Sequence, residues 1–208
     1  MLFQEELLGY IIVSITDAIG YCKAHMIYHT DITPQNILVH HKGSIKLCDF
    51  GESKLLDKSP TSTFVGIVAY WPPERFDIFG AESHDEHKRN GIRADIWSFG
   101  ISLLEIILGK LPFFDQNEVE GSREEWNAFK IYSKLSNTCF EDIIHAQQSK
   151  YSDNLLEFIL LCLRKVDSRP QIEALKNCLV YQQYKSRTEI QIAKQLDKHG
   201  ISQLLVNS

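Results

Sequence analysis

Two short runs of this chain carry the side chains best suited to chemistry. His29-Thr30-Asp31-Ile32-Thr33-Pro34-Gln35-Asn36 sets a carboxylate and a carboxamide five residues apart, and Asp49-Phe50-Gly51 begins thirteen residues after Asn36. A carboxylate can orient a hydroxyl and accept its proton, and Asp and Asn oxygens are hard ligands of the kind Mg²⁺ prefers. Three further groups lie downstream: Pro72-Pro73-Glu74-Arg75, Asp95-Ile96-Trp97-Ser98-Phe99-Gly100, and Arg169-Pro170. Each group alone has an ordinary explanation. An Asp before Phe-Gly commonly closes a turn after a strand, and a solitary His29 commonly packs in a core. Weight comes from all five groups occurring in this order and at this spacing.

The elements that must position these residues read as mainly α with a small β-hairpin. Leu7, Leu8, Ile11, Ile12, Ile15, Ala18, Ile19 and Cys22 recur at three- and four-residue steps and give a first helix one apolar face. Ile37-Leu38-Val39 and Ile45-Lys46-Leu47-Cys48 read as strands joined by His40-His41-Lys42-Gly43. Asp49 to about Arg93 is a long Ser-, Thr-, Pro- and charge-rich connection, a length usually tied to function. Ala94 to Leu108 is apolar on nearly every side and predicts a buried helix stopped by Gly109. Ser122-Arg123-Glu124-Glu125 is a capping-box pattern that predicts a helix with Trp126 and Phe129 inside. Ser152 predicts a cap ahead of Leu155, Leu156, Ile159, Leu160 and Leu163. Pro170 suits the first turn of a helix facing Ile172, Leu175 and Leu179 inward. A last helix is expected from Thr188, its N-cap, to Gly200.

Composition sets the outer limits. The chain has 208 residues, 44% of them hydrophobic and 24% charged, which fits one domain with its own core. A net charge of −5 argues against a broad nucleic-acid surface. No eighteen-residue apolar run and no signal-peptide pattern stand in the sequence, so neither a membrane partner nor secretion is expected. The five cysteines are scattered and without paired ligand spacing, which predicts reduced core thiols in a cytoplasmic protein and no zinc site.

With these residues in view, the chain resembles the C-terminal lobe of a eukaryotic protein kinase. The stretches Ile45–Gly51, Thr63-Phe64-Val65-Gly66, Glu74-Arg75 and Ile92–Leu103 look like a MAP kinase kinase, leaning toward the stress-activated branch. The resemblance runs from near Glu5 to about His199. It implies a kinase lobe over residues 1–185, an α+β family fold, and a helical region 186–208 that docks an upstream kinase or merely packs on the lobe. It further implies ATP and Mg²⁺ as cofactors, a MAP kinase as substrate, and an upstream MAP kinase kinase kinase as partner. Asp31 would be the catalytic base, Asn36 and Asp49 the Mg²⁺ ligands, and Leu38 the apolar floor under adenine. His29 would pack on Phe50, Glu74 and Arg169 would form a buried ion pair, and Asp95 would brace the catalytic loop. Ser59 and Thr63 match the two activating phosphosites, where phosphate would add charge and acceptors; a solvated Ser/Thr-rich loop is the other reading.

The pattern also breaks. Thr30 stands where the family has the phosphate-reading Arg, Thr33 where it has the Lys that neutralises the transferring group, and Ile67 where it has a Thr bonded to the catalytic Asp and to that Lys. No glycine-rich loop, strand lysine or partner glutamate precedes residue 31. Two functional classes follow. One is a MAP kinase kinase-type enzyme. The other is a pseudokinase or truncated docking module that binds cascade kinases without catalysis. For the chain by itself, weak or absent transfer is the expectation.

Overall fold

A computed structural model describes residues 4–55, 66–76, 91–114 and 127–198. Ser59 and Thr63, the capping-box residues Ser122 to Glu125, and Trp126 lie outside these residues. The first helix, α1 (Glu5–Ala24), buries Leu7, Leu8, Ile11, Ile12, Ile15 and Ile19, the face its periodicity predicts. Glu5 and Glu6 in its first turn and Lys23 in its last complement the helix dipole. Glu5 also reaches across the fold. Its carboxylate accepts from Ser152 N (2.8 Å) and Ser152 Oγ (2.5 Å), so the N-termini of two helices share one anion. By length and composition α1 could cross a bilayer, which corrects the expectation drawn from run length. In the fold 56% of its apolar window is buried, with Leu8, Ile11, Ile12 and Ile15 in the core and Tyr21 exposed.

After α1 the chain forms two small antiparallel sheets. Strand β1 (Ile27–Tyr28) pairs with β4 (Lys54–Leu55), and β2 (Ile37–Val39) pairs with β3 (Ile45–Leu47), Leu38 opposite Lys46. The second pair is the hairpin expected from sequence. Its turn closes through His40 N to Ser44 O and Gly43 N to His40 O, each 2.8 Å.

Helix α2 (Ile92–Leu108) begins two residues before the sequence suggests and ends at Gly109, whose φ of 72° is left-handed. Ile96, Phe99, Ile101, Leu103 and Leu104 are fully buried in it. It packs on α5 (Asp153–Cys162), where Ser152 Oγ accepts from Leu155 N as the predicted cap. Between them come α3 (Ala128–Ser136) and α4 (Phe140–His145). Asn127 caps α3, and Phe129 is 82% exposed, so its expected inward placement is wrong; Ile131 and Leu135 hold the buried face instead. The single helix expected after Pro170 is two, α6 (Ile172–Lys176) and α7 (Leu179–Tyr184). Pro170 precedes the N-cap Gln171 rather than entering the first turn. The break turns Leu179 outward, 66% exposed, while Val180 and Tyr184 pack inward. The last helix is α8 (Glu189–Lys198), which buries Ile192 and Leu196. All five cysteines are free thiols, but they are not uniformly core: Cys22 and Cys162 are buried, whereas Cys139 is exposed. Burial pushes the Cys162 thiol far above the usual thiol range.

Candidate active site

The segment His29–Asn36 is held against α2 by Asp95. Asp95 Oδ2 accepts from His29 N (2.9 Å) and Oδ1 from Thr30 N (2.8 Å). Burial pushes this carboxyl above the usual carboxylate range; the two N–H donors, His29 and Arg75 pull the other way. Thr30 has φ 66°, a conformation unfavourable for a β-branched residue. Its surroundings over-determine it: the bond to Asp95, and a 2.7 Å bond from its own hydroxyl to Glu52 O. His29 is completely buried, its Nε2 donates to Cys48 O (2.9 Å), and its ring meets Phe50 edge-on at 4.7 Å. His29 thus packs on Phe50 and closes on the Cys48 carbonyl.

Asp31 and Asn36 converge directly. Asn36 Nδ2 donates to Asp31 O (2.8 Å) and to Asp31 Oδ2 (3.0 Å). Asp31 Oδ1 accepts from Ile67 N (3.2 Å), so the end of the long connection returns to this carboxylate. Gly66 allows that return. Its φ is +80°, and a Cβ there would lie 2.4 Å from Thr30 O and 3.3 Å from Asp31 Oδ1. Asp49 follows β3 by two residues. Cys48 N donates to Asn36 O (2.9 Å), which puts Asp49 beside Asn36, and Asp49 itself has φ 63°. Its Oδ1 accepts from Gly51 N (3.2 Å). Asn36 Oδ1 and Asp49 Oδ2 accept no hydrogen bond among the described residues. Two such oxygens suit Mg²⁺, which takes one or two protein ligands and completes its shell with water and phosphate. Leu38, on the strand between, is 54% exposed.

The end of the long connection is anchored by Glu74 and Arg169. Arg169 Nη1 and Nη2 meet Glu74 Oε1 and Oε2 at 2.7 and 3.2 Å, a bidentate pair. The guanidinium is fully buried and also donates to Arg93 O (2.7 Å) and Arg164 O (3.0 Å), and it lies 4.9 Å over the Trp97 ring. Two positioning residues escaped the sequence reading. Ser98 Oγ donates to Tyr70 O (2.8 Å), and Ser102 Oγ donates to Ile32 O (3.1 Å). With Asp95 they form a polar stripe along an otherwise apolar buried helix, at steps of three and four residues, which is the signal that could have found them.

Thr33 is buried, 1% exposed, so a short hydroxyl occupies the place of the family's lysine. Ile67 meets Asp31 through its backbone N–H where the family has a side-chain hydroxyl.

Comparison with known proteins shows the family. The protein kinase domain family matches residues 1–181. The chain is 34% identical over 201 residues to MAP kinase kinase mkk-4 of Caenorhabditis elegans, covering 93% of this chain and 50% of that protein. It is 35% identical over 192 residues to the MAP kinase kinase MST7 of Pyricularia oryzae, covering 91% and 44%. It is 33% identical over 156 residues to Mitogen-activated protein kinase kinase 7 of Arabidopsis thaliana, covering 74% and 46%. The chain thus spans about half the length of these curated relatives.

Proposed function

On the premise that the chain belongs to the protein kinase family, we propose that its cleft is the metal-and-hydroxyl half of a MAP kinase kinase-type phosphotransfer site. The observation that carries the reading is the Asp31–Asn36 hydrogen bond, with Asp49 brought alongside by Cys48 N to Asn36 O. Asp31 orients the acceptor hydroxyl and takes its proton as the phosphoryl group departs from ATP. Asn36 and Asp49 hold Mg²⁺, which when bound neutralises charge on the phosphate oxygens. The Asn36 amide keeps the Asp31 carboxylate in one orientation, and Leu38 supplies apolar contact for the base. A MAP kinase as acceptor and an upstream MAP kinase kinase kinase as activator follow from the named relatives. Ser59 and Thr63 are the positions at which that activator would act. A reducing, cytoplasmic setting fits the five free thiols.

Thr30, Thr33 and Ile67 favour a second reading, a pseudokinase or docking module without turnover. Thr30 has no guanidinium to read a loop phosphate, and its hydroxyl is already engaged with Glu52 O. A positioned charge-stabilising donor is worth about 10²–10³ in rate, so replacing the lysine by Thr33 alone predicts slow transfer. The test is Mg²⁺-dependent ATP binding and phosphate transfer to a MAP kinase, in the parent chain and in Asp31→Asn and Asp49→Asn. The expected result is binding that Asp49→Asn weakens about tenfold or more while Asp31→Asn leaves it intact, with slow, Asp31-dependent transfer. Binding unchanged by Asp49→Asn would remove the metal assignment. Binding without any Asp31-dependent transfer would select the second reading.

A further inference from the structure

The hairpin that carries the metal-binding pair is gripped at its far end by the C-terminal helix. Gly43, in the β2–β3 turn, has φ +93°, and a Cβ there would lie 1.9 Å from Glu189 O and 2.8 Å from Ala193 N. The turn and the first turn of α8 therefore meet backbone to backbone, a contact that only a residue lacking a side chain permits. Neither side of the contact is loose. The turn closes on itself through the His40–Ser44 and Gly43–His40 bonds. Helix α8 is capped reciprocally, Gln191 N donating to Thr188 Oγ1 (3.4 Å) and Thr188 N to Gln191 Oε1 (3.0 Å). Its Ile192 and Leu196 are buried, and it packs on α1, which in turn packs on β3. At the other end of the hairpin, Asn36 directly precedes β2 and Asp49 follows β3 by two residues. Strands of three residues span about 10 Å, too short to absorb a displacement of the turn by bending.

We infer that α8 is a positioning element for the Asn36–Asp49 pair, acting through its backbone contact with Gly43. A molecule that binds or shifts α8 then changes the order of the two ligands without touching the cleft. The statement that Asn36 and Asp49 hold Mg²⁺ rests on the function proposed above; the mechanical link from α8 to the hairpin does not.

Amide hydrogen exchange on the nucleotide-free full chain tests the link. Leu196→Ser loosens α8 at a buried residue that is not among the atoms nearest Gly43, and Gly43→Ala attacks the contact itself. In Leu196→Ser, peptides covering residues 36–49 should exchange about tenfold faster along with those of α8, while peptides of α5 keep the parent rate. Gly43→Ala should give the same pattern from the opposite side. Should that variant fail to fold, Leu196→Ser still decides. Faster exchange in α8 with residues 36–49 unchanged would overturn the inference. Because no nucleotide is present, this outcome does not depend on Mg·ATP binding. Mg²⁺-dependent binding of an ATP analogue is then compared between the parent and Leu196→Ser. A several-fold loss is expected, and equal affinity would overturn the functional consequence of the link.

Discussion

Asp95 accepts from two backbone N–H groups where water does not reach, so its removal strands both. Each buried unpaired donor costs about 1–3 kcal/mol. Asp95→Ala should therefore lower unfolding free energy by about 2–4 kcal/mol, read from the urea midpoint at unchanged slope. A loss below about 0.5 kcal/mol, the range of ordinary surface substitutions, would show that the two N–H groups find other partners. At this scale much of the site was legible. Asp31 is hydrogen-bonded to Asn36, Glu74 is paired with Arg169, and Asp95 holds the His29–Thr30 backbone, because each of these motifs is a local pattern whose partner is another motif. Ser98 and Ser102 were harder to read, their spacing with Asp95 on an apolar helix being the one sign of them. A serine in a helix ordinarily bonds back to the carbonyl four residues earlier, as both do here to Ala94 O (3.1 Å) and Ser98 O (2.8 Å). Their second acceptors, Tyr70 O and Ile32 O, are distant in sequence and carry no side-chain signature. The role of the Ile67 N–H was hidden for the same reason, since every residue but proline has one.

Among the elements, two contacts set how the lobe is assembled. The Glu74–Arg169 pair ties the segment ahead of α2 to the turn ahead of α6, with the guanidinium fully buried. Breaking a buried pair by removing one partner costs about 3–5 kcal/mol, because the survivor is left charged and unpaired. Arg169→Met should fall in that range. The double variant Glu74→Leu/Arg169→Met should recover part of the loss, as a urea-denaturation double-mutant cycle would show. Additive losses would mean that the carbonyls of Arg93 and Arg164, rather than Glu74, are the partners that matter. The second contact is the α2–α5 crossing. A Cβ on Gly100 would lie 2.8 Å from Cys162 Cβ and 2.9 Å from Leu163 Cδ2. Gly100→Ala should cost about 1–3 kcal/mol through overpacking, and calorimetry checks it. Element boundaries were less legible than element existence. The long helices α1 and α2 declare themselves over several turns of apolar periodicity. Phe129 and Leu179 lie near the starts of short helices, where one or two turns of pattern leave the buried face undetermined. Asn127 caps α3, and a break at Asn177–Cys178 sends Leu179 outward; neither can be read from apolar spacing alone.

Across the whole molecule, stability should be graded along the same lines as burial. Local opening is easiest where few apolar contacts are lost and hardest where a helix is enclosed on all sides. In α2 the residues Ile96, Phe99, Ile101, Leu103 and Leu104 are each fully buried, and the same core takes in α1 through Leu8, Ile11, Ile12 and Ile15. Opening either helix exposes most of that core, so its amides can exchange only through global unfolding. Helix α3 contrasts with them. It has nine residues, of which Ile131 and Leu135 are buried, and Phe129, Tyr132 and Ser133 face solvent. Fully burying an Ile or Leu side chain is worth about 1.5–3 kcal/mol, so α3 is held by about two such contributions and can open while the rest stays folded. In amide exchange at low urea, α1 and α2 should share one slow, urea-dependent opening. Amides of α3 should exchange at least about tenfold faster, with little urea dependence because little surface is exposed. If α3 were protected as strongly as α2 and with the same urea slope, the lobe would unfold as a single unit, and the segment 68–76 that α3 packs against, with Phe76 and Tyr132 at 5.3 Å between rings, would be as firmly held as the segment His29–Asn36. The expected gradation instead keeps the loop bound to α2 among the firmly held described residues, and leaves α3 to open while the Glu74–Arg169 pair still anchors the end of the long connection.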